Sequence, residues 1–486
     1  MTVFDTGSQK RKLSFDVAIY GAGPSGITLA LALAGKGLRI GLFEAGGPNP
    51  PVLDRDHSYQ GSNRGLPYDL AGTRLRYLGG TSNHWGGWCR PLDPYDFSGR
   101  AHIPLSGWPI SRDELNPHLE AALDVCEVPT GGLGLQAFDH DFGYDGFLHR
   151  AVPEFQVKNF LFSTPTRFGT RYLQDLRQAD DIDCYLNSSL VRLAASGDAV
   201  DSASVVGQDG SETRVRAGCH VLAMGAIENA RMLLHSNVAN GSGFVGRCFA
   251  DHLGRTIGIA LLDFSNRYLL HHVRAGDRYI RVLPHLSLAD DAMRDGEFAN
   301  FGVIIDHKGT KKLPLGDDGK LVQRQVARLN RRHAHRFRML VRMENTPNPD
   351  SRITLANDRD AYGVPRVALN WQVNPFDLEC VDRLCRLLAQ RIGGAGGRVR
   401  IDYSLEKGTR RPGTYQSHHL GTTRMSADPE NGVVDRNLRC HEVANLYVAG
   451  SSVFPTFGFA NPTLTIVGLS LRLAQHLRHE LRGIDA

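Results

Sequence analysis

The 486-residue sequence contains no run of 18 or more apolar residues, so we expect no membrane-spanning helix. Its N-terminus shows no basic-then-apolar pattern of a secretory signal peptide. An excess of one charge is also missing, because 56 Lys and Arg residues stand against 51 Asp and Glu residues. The net charge of +5 excludes the basic footprint of a nucleic-acid-binding protein. A hydrophobic content of 41% instead indicates a large globular chain.

Cysteine is scarce and scattered along the chain. The eight cysteines form no C-x-x-C pair and no spacing typical of a metal site, so we predict no metal ligand. A chain of this length does not depend on disulfides, and reduced, buried thiols are therefore expected. Reduced thiols favour a cytoplasmic location. Whether the chain forms an oligomer is left open by the sequence.

One segment, residues 320–342, is locally basic. Val322, Val326 and Leu329 fall there at helical spacing, which predicts a half-buried helix with a cationic outer face. Both a solvated surface and a site for an anionic partner or substrate are consistent with this pattern. Just before it, residues 310–319 combine lysines, aspartates and small residues, and we expect a mobile loop there.

Glycine, in contrast, is abundant, with 53 residues, and its first cluster carries a strong signal. Residues 15–20 (FDVAIY) predict a buried strand, GAGPSG follows at residues 21–26, and an apolar helix comes next. A second strand at 39–43 ends in Glu44. Strand, G-x-G-x-x-G, helix, strand and acid together predict a dinucleotide site, with the pyrophosphate at the helix N-terminus. Glu44 would accept hydrogen bonds from a ribose hydroxyl.

The stretch that follows is long and irregular, and a loop region of this length is usually functional. Within it, residues 79–88 (GGTSNHWGGW) closely resemble the flavin loop of the glucose–methanol–choline (GMC) flavoprotein oxidoreductases. Residues 89–97 and 107–110 are similar to the sugar-oxidising branch, which includes pyranose oxidases, C-glycoside oxidases, and fructose and gluconate dehydrogenases. The resemblance implies FAD as the cofactor. Some members of the family have a histidine at the position of His84 that is covalently bonded to the flavin, and others hold FAD without such a bond. Covalent and non-covalent binding are both open for this chain.

The C-terminal quarter resembles the same family. Residues 417–425 (SHHLGTTRM) match its H-x-x-G-T motif, and an apolar helix follows Asn461 and Pro462. The N-terminus of this helix would point the positive end of the helix dipole at the flavin. Gly450 stands where the family usually has an acid. The resemblance implies that FAD is held by turns and loops from the whole chain, at Gly21, Gly23, Ser25, Gly26, Glu44, Gly79, Gly80, Ser82, Asn83, His84, Val191, Gly225, Gly450, Ser451, Pro462 and Thr463.

His418 and Asn461 are the predicted catalytic pair. Their spacing is similar to that of the catalytic pair across the family, and His418 rather than its neighbour His419 fits the motif. A neutral imidazole can take the hydroxyl proton of an alcohol near neutral pH. An asparagine amide can donate to the developing alkoxide.

These observations predict an α/β fold with two domains. A Rossmann-like FAD-binding domain would combine residues 1–253 and 411–486, and an α+β substrate domain with an antiparallel sheet would span 254–410. We expect strands at 279–283, 301–305 and 337–342, and a helix from Ser163 to Leu176. The expected reaction is oxidation of a secondary alcohol of a sugar or glycoside at C2 or C3, with oxygen or a quinone-type electron acceptor. The aromatic residues Trp85, Trp88 and Tyr95 would suit a carbohydrate face. A non-sugar alcohol and a non-redox lyase of the same family remain as alternatives.

Overall fold

The computed structural model describes residues 3–5, 11–50, 59–142, 154–262, 271–275, 278–306, 335–394, 398–401 and 416–482. The strands are, in chain order, β1 (Val3–Asp5), β2 (Arg11–Tyr20), β3 (Ile40–Phe43), β4 (Gly61–Asn63), β5 (Trp88–Cys89), β6 (Phe155–Phe162), β7 (Ile182–Leu186), β8 (Ser188–Ser196), β9 (Ala199–Gly207), β10 (Glu212–Leu222), β11 (Leu253–Leu262), β12 (His271–Ala275), β13 (Arg278–Leu288), β14 (Phe301–Asp306), β15 (His335–Met343), β16 (Arg352–Arg359), β17 (Pro365–Asn370), β18 (Arg398–Ile401) and β19 (Leu446–Val448). The α-helices are α1 (Pro24–Leu33), α2 (Pro94–Phe97), α3 (Arg112–Val125), α4 (Phe168–Arg171), α5 (Leu173–Gln178), α6 (Ala226–Ser236), α7 (Asp290–Asp295), α8 (Pro375–Gly394) and α9 (Thr463–Arg482).

The first sheet has the order β1-β7-β3-β2-β10-β9-β8, and β19 also pairs with β10. The pairings β1–β7, β7–β3, β3–β2 and β2–β10 are parallel, and so is the pairing of β10 with β19. The pairings β10–β9 and β9–β8 are antiparallel. Strands of a parallel sheet are covered on both faces and read as continuous apolar runs. Val17, Ala18 and Ile19 of β2 fit this rule, since none is exposed.

The carboxyl ends of four parallel strands meet at one edge of this sheet. The Gly21 amide donates to Phe43 O of β3, the Ala223 amide to Tyr20 O of β2, and the Ala449 amide to Leu222 O of β10. The turns that follow β2, β3, β10 and β19 therefore lie side by side, although they are far apart in the sequence. Ligands of open α/β sheets bind at such an edge.

The second sheet has the order β18-β11-β15-β14-β13-β6-β5, with β12 paired to β13, and its pairings are antiparallel. The predicted strands at 279–283, 301–305 and 337–342 lie within β13, β14 and β15, so the antiparallel sheet and the mixed α/β class are confirmed. The sheet also takes β5 and β6 from residues before 254. The domain boundaries at 253 and 411 stay a prediction. A third sheet, β16-β17-β4, completes the fold.

The helix predicted from Ser163 to Leu176 is wrong in its start and its continuity. Ser163 Oγ accepts a hydrogen bond from the Thr166 amide at 2.8 Å, which closes a local turn where the helix was expected to begin. The helical backbone begins only at Phe168 and is interrupted at Tyr172, between α4 and α5. Asp209 and Gly210 lie in the turn that joins β9 to its antiparallel partner β10.

The expected helix in the basic segment and the expected loop at 310–319 lie mostly or wholly outside the described residues. The described end of the basic segment, from residue 335, is the strand β15, which contains the strand predicted at 337–342. Its side chains alternate, so that Phe337, Met339 and Val341 are buried in the core. Within the described part of the chain, no helix is both long and apolar enough to span a bilayer.

Candidate active site

A cavity of about 670 Å³ lies along the carboxyl edge of the parallel sheet. Its lining includes the turn after β2 and Glu44, and it also includes His418 and Asn461. The cavity therefore joins the predicted dinucleotide site to the predicted catalytic pair. All eight cysteines are buried and unbridged, and none lines it.

Each glycine of the 21–26 turn has a different reason to be glycine. Gly21 has a φ of 104°, and a Cβ there would lie 2.5 Å from Ala223 O. A Cβ at Gly26 would collide with the Gly21 carbonyl oxygen, so Gly26 serves helix–strand packing and does not line the cavity. Gly23 lies directly before α1 and faces open space, since a Cβ added there would have no described atom within 4 Å. This leaves room for a phosphate group to approach the backbone at the helix N-terminus.

Glu44 is held rigidly in the wall of the cavity. Its Oε2 accepts from the Ala22 amide at 2.8 Å and its Oε1 from the Gly46 amide at 2.9 Å. Burial raises the pKa of this carboxyl, and the two backbone amides oppose that shift. Each carboxylate oxygen can accept a further hydrogen bond. Glu44 is thus suited to bind the hydroxyls of a ribose.

The loop at 79–84 places some of its predicted residues at the cavity and uses others to hold its own shape. Gly80, Ser82 and His84 line the cavity. Gly79 and Asn83 do not: Asn83 donates to Leu78 O at 2.9 Å, and a Cβ at Gly79 would lie 2.6 Å from the Gly169 amide nitrogen. Burial, with a smaller contribution from Arg167, lowers the pKa of His84, so its ring is neutral at physiological pH.

The remaining predicted cofactor residues come from five separate segments and all reach the cavity. They are Ser25, Val191, Gly225, Gly450, Ser451, Pro462 and Thr463. A Cβ added at Gly225 or Gly450 would have no described atom within 4 Å, so the backbone is open to a ligand at both turns. The 20-residue helix α9 begins at Thr463, which places its positive end at the cavity.

His418 is fixed by a buried network behind it. Its Nδ1 lies 2.9 Å from Nδ1 of His252, which is fully buried and does not line the cavity. The His418 amide donates to Asp251 Oδ1 at 3.1 Å. Since Nδ1 is engaged with His252, Nε2 is the ring nitrogen left for the cavity. Burial, followed by the charge of Arg342 and the neighbouring His419, holds the pKa of His418 well below its usual value.

The carboxylate behind this pair is fully hydrogen-bonded. Asp251 also accepts from the Tyr68 hydroxyl at 2.7 Å and from the His252 and Gln416 amides, and burial raises its pKa to about 7. Donor atoms of Asp251, His252 and His418 lie within 4.8 Å of one another. Because these hydrogen bonds occupy the carboxylate, and the two imidazoles bond to each other, we assign the cluster to positioning His418.

Asn461 and Arg342 contact each other in the same cavity. The Arg342 guanidinium donates to Asn461 Oδ1, which orients the amide so that its NH₂ group is available to a ligand. Arg342 is 8% exposed and lines the cavity. It lies at the described end of the basic segment, but its place beside Asn461 was not predicted.

His419 lines the cavity but is engaged differently from His418. Its Nε2 lies 3.1 Å from Thr73 Oγ1, and its ring packs near Tyr68 and Phe249. Burial lowers its pKa to about 3. A second group missed by sequence reasoning also lines the cavity, namely Arg74, Arg231 and the Glu228 that pairs with both. Arg231 and Glu228 follow the predicted cofactor residue Gly225 closely in the sequence, and this proximity could have indicated that they lie near the cavity.

Two of the three aromatic residues predicted for a carbohydrate face, Trp85 and Trp88, line the cavity. The prediction for Tyr95 is wrong. This side chain is fully buried away from the cavity, and its hydroxyl donates to Phe298 O at 2.8 Å. Its position in α2, beneath a capping box formed by Asp93 and Asp96, makes it part of the core.

Comparisons with known proteins agree with this geometry. Residues 347–470 match the family model described as GMC oxidoreductase. The chain is 26% identical to 6'''-hydroxyparomomycin C oxidase of Streptomyces lividus, over 96% of this chain and 92% of that protein. It is 25% identical to the fructose dehydrogenase large subunit of Gluconobacter japonicus, over 97% of this chain and 99% of that protein.

The fold has solved counterparts as well. The crystal structure of pyridoxine 4-oxidase from Mesorbium loti superposes with a TM-score of 0.63 at 19% identity, covering 96% of this chain and 99% of that one. The C-terminal quarter of the chain thus matches the GMC oxidoreductase family model, and nearly the whole chain is similar to proteins named as an oxidase and a dehydrogenase.

Proposed function

We propose that this chain binds FAD in the cavity and oxidises a secondary alcohol of a sugar or glycoside, at C2 or C3, to a ketone. The observation that carries the proposal is His418: a neutral ring whose Nδ1 is held by buried His252 and whose Nε2 is left for the cavity. Asn461 lines the same cavity, with its amide oriented by Arg342.

The residues present fit FAD. The open backbone at Gly23 and the start of α1 suit the pyrophosphate, and Glu44 suits the ribose. Gly450 and the start of α9 leave backbone and positive dipole for the flavin end. Where the dinucleotide has polar groups, the cavity offers backbone, helix ends or a fixed carboxylate.

In the proposed reaction the protein handles the proton. FAD, when bound, would supply the oxidising power as the acceptor of a hydride from the alcohol carbon. His418 Nε2 takes the hydroxyl proton, which requires a neutral imidazole. Because the pKa of His418 is held low, the ring is neutral above that value, and the base form is present throughout the neutral range. The Asn461 amide donates to the substrate oxygen as negative charge develops there.

Support for a sugar or glycoside comes from the relatives, whose names state oxidation of an aminoglycoside and dehydrogenation of fructose. Trp85 and Trp88 at the cavity are consistent with a carbohydrate ring. The position of oxidation, the use of oxygen or a quinone as acceptor, and the cytoplasmic location are predictions. Non-covalent FAD is our preferred form. Acid precipitation tests it, since yellow colour left in the pellet would show a bond through His84.

The experiment is an anaerobic screen that follows flavin bleaching with monosaccharides, glycosides and simple alcohols. We expect bleaching by at least one sugar or glycoside, followed by reoxidation when oxygen or a quinone is added. His418→Gln should slow bleaching by about 10²- to 10⁴-fold with unchanged FAD content. The matched variant His419→Gln should slow it far less. An alcohol that binds but leaves the flavin oxidised would favour the lyase, and bleaching by simple alcohols alone would replace the sugar with a small substrate.

A further inference from the structure

Arg342 is a buried cation in the cavity without an ionic partner among the described residues. Its guanidinium donates to Asn461 Oδ1 and, at 3.4 Å, to Gln416 Oε1, and both of these acceptors are neutral. Arg74 and Arg231, which line the same cavity, each pair with the carboxylate of Glu228. Arg342 therefore differs from the other buried arginines of the site.

An uncompensated buried charge is costly, and proteins normally pair it. Burial lowers the pKa of Arg342 to about 10, so it is still charged at neutral pH. Asp251 is the carboxylate that opposes this shift, but both of its oxygens already accept hydrogen bonds from Tyr68 and from backbone amides. The rings of Trp88 and Phe160 lie 5.2 and 5.8 Å from the guanidinium carbon. They shield the charge from water and do not neutralise it.

The guanidinium still has donors to offer. It carries five N–H groups, and the structure uses one for Asn461 and one for Gln416. The remaining N–H groups have no partner among the described residues, and the side chain lines the cavity. A planar guanidinium matches the geometry of a carboxylate, which it can bind through two parallel hydrogen bonds.

We propose that Arg342 binds a carboxylate of the substrate, and that the substrate is a polyhydroxy acid of the aldonic or uronic class. The inference rests on the proposed function and narrows it. Arg342 contacts the same Asn461 that faces the reacting hydroxyl, so the carboxylate of the bound substrate lies on the same side of the site as the carbon that is oxidised. Binding of the anion would supply the missing partner of the buried cation.

A purely supporting role for Arg342, in which it only orients Asn461, makes a different prediction. Loss of that support would slow the oxidation of neutral and anionic substrates by the same factor. Loss of a carboxylate contact would instead change the ratio of the two rates. The discriminating quantity is thus the preference for an acid over its neutral analogue, because an effect on Asn461 cancels from it.

The test compares two matched pairs in the FAD-loaded enzyme, D-gluconate with D-glucitol and methyl glucuronide with methyl glucoside. We expect kcat/KM to favour the acid of at least one pair by about 10- to 100-fold, the range of a hydrogen bond to a charged group. Arg342→Met should bring this ratio close to one, and Arg342→Lys should keep part of it. Arg338→Met is the control, because Arg338 lies on the same strand, pairs with Asp306 and is partly exposed. It should leave the ratio unchanged.

Binding of inert anions gives a second readout. Acetate and benzoate should quench flavin fluorescence saturably in the wild type and at least tenfold more weakly in Arg342→Met. A wild type that oxidises the neutral member of both pairs as well as the acid overturns the inference but leaves the proposed function intact. An unchanged ratio in Arg342→Met overturns it as well. If no alcohol bleaches the flavin but benzoate binding still depends on Arg342, the proposed function fails and the anion site stands.

Discussion

The buried pair of Arg100 and Glu344 gives a sharp prediction about stability. The two nitrogens of the guanidinium lie 2.7 and 2.9 Å from the two carboxylate oxygens, and the side chains are 2% and 0% exposed. Glu344 also accepts from the Phe457 amide at 3.1 Å and lies two residues after Arg342. The pair therefore ties β15 to the segment that leads to Asn461.

The perturbation is Glu344→Gln, which keeps the size of the side chain and removes its charge. Arg100 is then left as an unpaired buried cation, a change that costs about 3–5 kcal/mol. The unfolding entropy is about 2.1 cal/mol/K per residue, which for 486 residues gives about 1 kcal/mol/K. We therefore expect Tm to fall by about 3–5 °C. Asp306→Asn is the matched control, because it breaks the partly exposed pair with Arg338, and it should cost less than about 1 kcal/mol, or about 1 °C.

The pH dependence of the difference in Tm between the wild type and Glu344→Gln is a further check. Burial raises the pKa of Glu344, but Arg100 and the Phe457 and Asn300 amides together hold that pKa below its usual value. A carboxyl with a lowered folded-state pKa contributes stability above its unfolded pKa and loses it as the pH falls through the folded value. Differential scanning calorimetry should thus show the melting temperatures of the wild type and Glu344→Gln beginning to converge once the pH falls below about 4.3, the unfolded-state pKa of a glutamate. Equal melting temperatures for Glu344→Gln and Asp306→Asn at neutral pH would refute the reasoning.

The other predictions concern the cavity. Gly23→Val should fold normally, because the φ of −82° at this position suits any residue and a Cβ there meets no described atom. The variant should nevertheless contain at least tenfold less FAD, because the valine side chain fills the phosphate site. Full FAD occupancy would contradict this. His252→Phe should keep FAD but slow anaerobic bleaching by about 10²-fold, because His418 loses the partner that orients it; a wild-type rate would show that His252 has no positioning role. The acid limb of kcat/KM should lie well below pH 6.5 in the wild type and move upward in Arg342→Met, because removal of a positive charge raises the pKa of His418. Overlapping pH profiles of the two enzymes would show that Arg342 does not act on that histidine.

The parts of the fold that depend on neighbouring residues were predictable from the sequence. The strand, glycine turn, helix and second strand of residues 15–44 occur as expected, because the positive φ of Gly21 and the close contact of Gly26 with the Gly21 carbonyl are set within the turn itself. Alternation also predicted three strands of the antiparallel sheet. The helix from Ser163 failed for an equally local reason, since its serine closes a turn instead of capping a helix. Competition between these two uses of a serine hydroxyl is decided by the surrounding packing.

Contacts between distant strands were not predictable in the same way. Nothing in the sequence of β6 indicates that it pairs with β13, far along the chain, or that β19 joins β10. The pairings of β10 with β2 and with β19 bring the turns at Gly225 and Gly450 to the edge that carries Glu44. Their glycines could be selected as candidates from the family resemblance, but their common position is a consequence of strand order.

The sequence reveals the proposed cofactor end of the cavity better than the proposed substrate end. The proposed cofactor end is built mainly from backbone, and backbone sites leave a trace in the sequence as glycines and helix starts. The proposed substrate end is built from side chains that converge from separate elements: Arg342 from a strand of one sheet, His418 from a loop, and Asn461 from the start of a helix. An arginine on an alternating strand looks the same whether it faces water, a carboxylate or an empty site. Motifs can therefore indicate a family resemblance and the cofactor it implies, whereas the charge of the substrate can be addressed only when the partners of Arg342 are known.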